Sequence, residues 1–400
     1  MANAAAGLLQ GGRAPRFDPE TILAKGVRKA GSGDLGDGQA QVREGLAVWL
    51  EAIAKEGHLS PMGRLAIPDL AASWLASRLR LIDYMRANPA VKDVPLARPV
   101  VVVGFPRTGT TLLHHLLSLG ADTRAPLMWE LQEPAPPPAG APDKRIAAAK
   151  RRVKTMLAVR PDLPRMHPLD AEAPEECVHA LQQTLATFHL GAYAPVPSYF
   201  AWLLEQDLSP AYAYLRLVLQ ALAYGQPERR WVLKAPAHLF ALDALLTVFP
   251  DACVVHIHRD PARAAASGCS LTAAIRTLTT EPSDPKALGE EWLYAWGEGL
   301  KRALAVREAM GPERFCDVRY DELLRDPAGT VRRVFAYFGD EAPPNTDEAV
   351  ASWMAANPAD RHGRHRYTLE EYGLRVDAVH QRFADYMQRF DLAPEAAPAG

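Results

Sequence analysis

Two short loops of this chain carry residue types that can do chemistry. The run Gly104-Phe105-Pro106-Arg107-Thr108-Gly109-Thr110-Thr111 follows a block of valines and precedes leucines at helical spacing. A loop between a buried strand and a helix aims backbone N–H groups and a helix N-terminus at an anion, usually a phosphate. Gly104 and Gly109 have the spacing of the glycines in the nucleotide-triphosphatase loop GxxxxGK[ST], but Thr110 stands at the lysine position. Arg107 is the loop's cation. Without the lysine, hydrolysis at a β/γ-phosphate is disfavoured and capture of one terminal phosphate is favoured. The segment His258-Arg259-Asp260-Pro261, followed by Ser267, has the same setting at the end of another apolar run. Pro261 suits a first helical turn, and Ser267 then falls about two turns after Arg259. Arg259 and Ser267 are so spaced that they can grip a second phosphate. Two anion sites at one edge of a sheet suggest a nucleotide phosphorylated at both ends.

These loops need strands behind them and helices in front. Continuous β-branched runs suit strands buried on both faces, as in a parallel sheet. Pro99 to Val103, Trp231 to Lys234, Cys253 to His258 and Arg314 to Arg319 read as such strands. Helical spacing follows Thr110 and recurs around 143–159, 174–189, 210–224, from His238 to Phe249, from Pro261, over 286–310 and over 328–338. The proline-rich stretch 133–142 reads as an exposed loop. Strands alternating with helices imply an α/β fold, a P-loop-like parallel sheet flanked by helices. Residues 1–95 read as a helical N-terminal extension, 96–392 as the α/β domain with helical insertions, and 393–400 as a flexible tail.

Composition narrows the functional class. The 400 residues are 48% hydrophobic and 23% charged, which excludes a disordered chain and a disulfide scaffold. The net charge of −2 argues against a nucleic-acid partner. Cys177, Cys253, Cys269 and Cys316 are widely spaced, without a CxxC pair, and read as buried thiols in a reducing cytosol. No apolar run is long enough to cross a membrane, and the N-terminus is a poor signal peptide, so a cytoplasmic protein is expected.

With both loops in view, the sequence resembles the sulfotransferases that use 3′-phosphoadenosine 5′-phosphosulfate (PAPS), most of all their bacterial branch with PRxGTT loops. Residues 106–111, PRTGTT, match the 5′-phosphosulfate loop, which assigns Arg107, Thr108, Gly109, Thr110 and Thr111 to the donor. Arg259 and Ser267 match the 3′-phosphate pair, and Tyr320 matches a position beside the adenine. The basic stretch Arg361 to Tyr367 stands where the family closes its 3′-phosphate site, with Arg364 as the candidate contact, although the family's common RKGxxG form is altered. No metal is expected there: His362 and His365 are interleaved with arginines that would repel a dication.

The resemblance implies sulfuryl transfer from PAPS, a co-substrate, to a hydroxyl or amine of a small molecule. Such a reaction needs positioning, positive charge near the sulfate and a base for the acceptor's proton. Arg107 and Lys234 supply charge. Two base candidates follow from two branches of the family: His238, four residues beyond Lys234 where the family's histidine stands two beyond, and Glu130, after the loop's own helix. His167, Glu172, Glu175 and Glu176 form a polar cluster that reads equally as acceptor-site lining, as partners of Arg107 or as an exposed helix start. Apolar insertions such as Tyr193 to Leu204 favour a lipophilic alcohol or phenol. The alternatives are a P-loop-like kinase using ATP, which Thr110 disfavours, and a non-catalytic nucleotide-binding protein, which Lys234 disfavours.

Overall fold

Four consecutive valines, Val100–Val103, are buried throughout and form β1, the central strand of a five-stranded sheet. The computed structural model describes residues 17–358 and 367–395; Arg364, the rest of the basic stretch 361–366 and the tail beyond 395 lie outside them. The other strands are β2 (Thr123–Arg124), β3 (Arg230–Lys234), β4 (Cys253–His258) and β5 (Phe315–Arg319). All pair in parallel, in the order β2-β3-β1-β4-β5. Val102 pairs with Lys234 on one side and Val255 on the other, so β3 and β1 end nearly level while β4 runs on to His258. From β1 the chain first builds toward β3 and later crosses to β4 on the opposite side. The loop after β1 therefore lies where strand order reverses, the place where open α/β sheets bind ligands.

Alternate side chains of β1 enter two different cores. Val101 and Val103 join Leu233 and Val254 on one face, whereas Val100 and Val102 join Val232, Val255 and Ile257 on the other. The first of these cores also contains Trp49, Leu50, Ile67 and Leu75, from the helices Gln39–Glu56 and Pro61–Ala87. The N-terminal helices thus share the sheet's own core. Asp18 and Ser60 cap the helices Pro19–Ala30 and Pro61–Ala87 by accepting from the backbone N–H groups of Thr21 and Gly63.

Two helices expected from sequence take other forms. The stretch 174–189 breaks into a single α-turn, Val178–Leu181, and 3₁₀ turns at Gln182–Thr184 and Phe188–Ala192. The Thr184 hydroxyl donates back to the Leu181 carbonyl at 2.6 Å, and Leu185 turns into the left-handed region at φ 54°, which stops propagation. The segment from Pro236 to Phe240 is a 3₁₀ turn, with the α-helix delayed to Leu242–Val248. All four cysteines are free and buried. Among the described residues, no helix is long and apolar enough to cross a membrane. Among them also, His256, His258 and Asp317 lie close enough to share a cation, but Asp317 already takes both guanidinium nitrogens of Arg307 at 2.5 Å. That pairing fills the carboxylate and puts a positive charge where a cation would sit.

Candidate active site

The loop after β1 is shaped by backbone that other residues resist. Gly109 has φ 93°, precedes the helix Thr110–Leu117, and is followed by N–H groups that no side chain caps. A Cβ on Gly109 would lie 2.6 Å from the Tyr320 ring. Thr108 is buried and donates to the Phe105 carbonyl at 2.7 Å, which closes the loop on itself. Arg107 sits at φ 69°, a conformation that a long side chain adopts only under constraint. Its Nε donates to Ser267 Oγ at 2.9 Å and its Nη1 to the Met166 carbonyl at 2.5 Å. Among the described residues, no carboxylate forms an ion pair with it. Burial first, and the like charge of Arg259, lower the Arg107 guanidinium below its ordinary value. A guanidinium held by neutral oxygens next to another cation, at an uncapped helix start, is suited to an incoming anion. Arg107 and Ser267, assigned from sequence to separate phosphates, are hydrogen-bonded to each other.

Arg259 completes this wall. Its Nη1 donates to the Arg107 carbonyl at 2.9 Å and its guanidinium lies 4.1 Å from the centre of the Tyr320 ring. Its remaining nitrogens, Nε and Nη2, each donate to Glu395 at 2.8 Å. The Glu395 backbone N–H donates to Asp260 Oδ2, also at 2.8 Å. Burial opposes the Arg259 charge, but the Glu395 carboxylate, with Tyr320 and Tyr367, raises its pKa on balance. A carboxylate thus occupies the fork of the arginine assigned to the 3′-phosphate.

Lys234 ends β3 with 1% of its surface exposed. Its Nζ donates to Glu176 at 2.5 Å and to Thr111 Oγ1 at 3.3 Å, which puts the ammonium at the first turn of the loop helix. Glu175, next in line, accepts from the Glu176 backbone N–H at 2.8 Å and meets His167 Nε2 at 3.4 Å. Burial would raise the Glu175 carboxyl, but His167, His179 and Lys234 hold it below the usual carboxylate range. Glu176 is likewise pushed up by burial and brought down, on balance, mainly by Lys234. Loop residue Pro106, helix residue Gly268 and the acidic residues Glu175 and Glu176 open onto one cavity of about 290 Å³. Its far walls are apolar, built from Phe188, Phe200, Phe240, Trp292 and Trp296 among others. Tyr193 and Phe200 belong to the insertion singled out in the sequence; Trp292 and Trp296 were legible only as an i,i+4 pair on the helix Pro285–Met310.

Neither base expected from sequence lines this cavity. His238 is fully buried within its 3₁₀ turn, with Nδ1 2.8 Å from the Tyr212 hydroxyl. Burial lowers its pKa to about 3. The tight turn sets it in the core against Tyr212. Glu130 accepts from Arg124 at 2.6 Å and from the Leu127 backbone N–H at 2.9 Å. It lines a separate cleft with Arg124, Arg145 and Trp129. Both oxygens are engaged in an ion pair and in capping the short helix Met128–Gln132. Glu172 turns outward to Lys150.

A parallel sheet with an anion-shaped loop at its switch point, a second arginine on the next loop and an apolar cavity alongside defines an enzyme-like nucleotide fold. The chain matches the sulfotransferase family over residues 99–344 and belongs to that family. Over 252 residues it is 28% identical to the omega-hydroxy-beta-dihydromenaquinone-9 sulfotransferase Stf3 of Mycobacterium tuberculosis, a match covering 60% of this chain and 62% of the relative. The solved sulfotransferase STF9 of Mycobacterium avium is 30% identical, with a TM-score of 0.86 over 97% of this chain and all of the other. STF1 of Mycobacterium tuberculosis is 32% identical, with a TM-score of 0.81 over 93% of this chain and all of the other.

Proposed function

We propose that this chain moves a sulfuryl group from PAPS to a hydroxyl on a small lipophilic acceptor. The observation that carries this reading is that the donor loop and the apolar cavity are contiguous through Pro106, with Glu176 and its partner Lys234 at the junction. The loop N–H groups and Thr110 and Thr111 would hold the 5′-phosphosulfate. Arg259 and Ser267 would hold the 3′-phosphate, Arg107, bonded to Ser267, would reach from the 5′-phosphosulfate loop between the two anions, and Tyr320 would flank the nucleoside. Lys234, already bonded to Thr111, would neutralise charge that grows on the oxygen between phosphorus and sulfur as that bond breaks. The acceptor would lie among Phe188, Phe240 and Trp296, its hydroxyl directed at the loop. Aromatic walls of this kind favour an apolar body with one polar end. The Stf3 relatives are named for omega-hydroxy-beta-dihydromenaquinone-9, an acceptor of that description, and this supports the same class here. The free, buried cysteines fit a reducing, cytoplasmic setting.

The test is a ligand comparison followed by turnover. Adenosine 3′,5′-bisphosphate should stabilise the protein by about 2.7 kcal/mol at a hundred times its dissociation constant, and ATP much less. Labelled PAPS should then transfer its label to long-chain alcohols or phenols, and to charged sugars much less. Equal stabilisation by ATP, or transfer confined to charged sugars, would overturn the reading.

A further inference from the structure

The reaction needs a group to take the acceptor's proton, and the cavity wall contains one with the required support. We infer that His167, oriented by Glu175, is the general base of this site. The inference rests on the sulfuryl-transfer reading above and assigns a residue to it.

Three observations converge on His167. It lines the cavity that receives the acceptor. Its Nε2 faces Glu175, which is 5% exposed, and Glu175 is held in turn by the Glu176 backbone N–H. A ring nitrogen that donates to an ionised carboxylate fixes the tautomer and leaves the other nitrogen with a free lone pair. Finally, the residue before it is bound to the donor loop, because Arg107 Nη1 holds the Met166 carbonyl. The His167 backbone N–H also donates to the Leu163 carbonyl at 2.9 Å. The donor's arginine and the base are thereby kept in fixed relation, as in-line attack demands.

The neighbouring carboxylates are otherwise engaged. Glu176 is paired with Lys234 at 2.5 Å, and Glu175 uses one oxygen on His167 and the other on backbone. In the step itself, the acceptor O–H proton passes to Nδ1 of His167 while the acceptor oxygen forms a bond to sulfur. The bond between sulfur and the bridging oxygen breaks, and its electron pair leaves with the 5′-phosphate of adenosine 3′,5′-bisphosphate. Glu175 is a positioning residue that also stabilises the imidazolium formed. The charged and titratable groups facing His167 are Glu175 and Glu176 from its own stretch of chain, His115 from the loop helix, His179 and His189, with Arg107 bonded to the carbonyl of the neighbouring Met166.

The experiment compares His167→Ala, Glu175→Gln, Glu175→Asp, His238→Ala and Glu130→Gln on one acceptor at saturating PAPS, with bisphosphate affinity measured in parallel. His167→Ala should lower kcat by about 10²–10⁴-fold with bisphosphate affinity unchanged. Glu175→Gln should lower kcat with bisphosphate affinity and acceptor KM unchanged, because the lost carboxylate no longer fixes the imidazole's tautomer and orientation. Glu175→Asp should restore part of kcat, a pattern that a merely structural role would not produce. A second readout needs no turnover. In the bisphosphate complex, bound 4-nitrophenol should show more of its phenolate absorption with the wild type than with His167→Ala. A wild type that binds bisphosphate and transfers sulfate, alongside a His167→Ala variant near wild-type rate, would overturn this assignment while leaving the function intact. Larger losses in His238→Ala or Glu130→Gln, with folding preserved, would move the role to that residue. Failure to bind bisphosphate at all would instead strike the sulfuryl-transfer reading.

Discussion

Arg107 and Arg259 follow strands that lie far apart in the chain, yet they form one wall, because β1 and β4 are hydrogen-bonded neighbours. This proximity sets up the clearest residue-level expectation. Arg259→Ala should weaken adenosine 3′,5′-bisphosphate by about ten- to hundredfold, the worth of a charge-assisted hydrogen-bonded pair. Adenosine 5′-phosphate, without the 3′ group, should bind the variant and the wild type alike by calorimetry. An equal loss for both ligands would show that Arg259 serves the loop's shape through the Arg107 carbonyl. Arg107, Arg259 and Lys234 were legible as candidates, because charged residues at or just past the end of a buried strand have few structural reasons to be there, and Ser267 through its spacing from Arg259. The base was not. His167 and Glu175 lie in a stretch without strand or α-helix, where no period reports which way a side chain faces. The spacing of His238 from Lys234 likewise says nothing of the 3₁₀ turn that sets it against Tyr212.

At the scale of elements, the donor loop depends on how closely the start of the helix Tyr320–Arg325 approaches it. Gly109 permits that approach, being both left-handed and without a Cβ that would meet Tyr320 at 2.6 Å. Gly109→Ala should cost about 1–2 kcal/mol for the left-handed backbone alone, and more for the displaced ring. Bisphosphate affinity should fall with it, since Tyr320 supports the Arg259 guanidinium. Adding Tyr320→Ala should relieve the clash but leave the backbone cost, so the double variant should recover melting temperature only in part. A Gly109→Ala protein with unaltered melting temperature and affinity would contradict this account of the loop. The four longer strands were legible because apolar, largely β-branched runs need burial on both faces. The strand β2 was not, since its two residues, Thr123 and Arg124, carry no pattern and pair only through their position beside β3. The stretch 174–189 was misread for a related reason: local hydroxyl-to-carbonyl bonds outweighed helical spacing.

On the scale of the whole molecule, distant parts of the chain meet at the donor site. The N-terminal helices share the core beneath β1, and the end of the described chain folds back over the loop after β4. That return has a chemical consequence. Glu395 places a carboxylate in the two-pronged fork of Arg259, the geometry that a phosphate would also adopt. If Arg259 holds the 3′-phosphate, the nucleotide must displace Glu395 to bind, and part of its binding free energy is spent breaking that pair. Arg259 is 18% and Glu395 33% exposed at the side chain, so solvent screens the pair and its worth is modest. Glu395→Gln should therefore tighten bisphosphate by about two- to fivefold, the equivalent of a partly exposed ion pair. Adenosine 5′-phosphate should gain much less, and the gain for bisphosphate should shrink as salt is raised, because screening weakens the wild-type pair. In an Arg259→Ala background the same change should have no effect on affinity. Calorimetric titration of the two single variants and the double variant, at low and high salt, measures this coupling. Additive effects, or weaker binding in Glu395→Gln alone, would mean that the carboxylate orders the site for the nucleotide and does not compete with it.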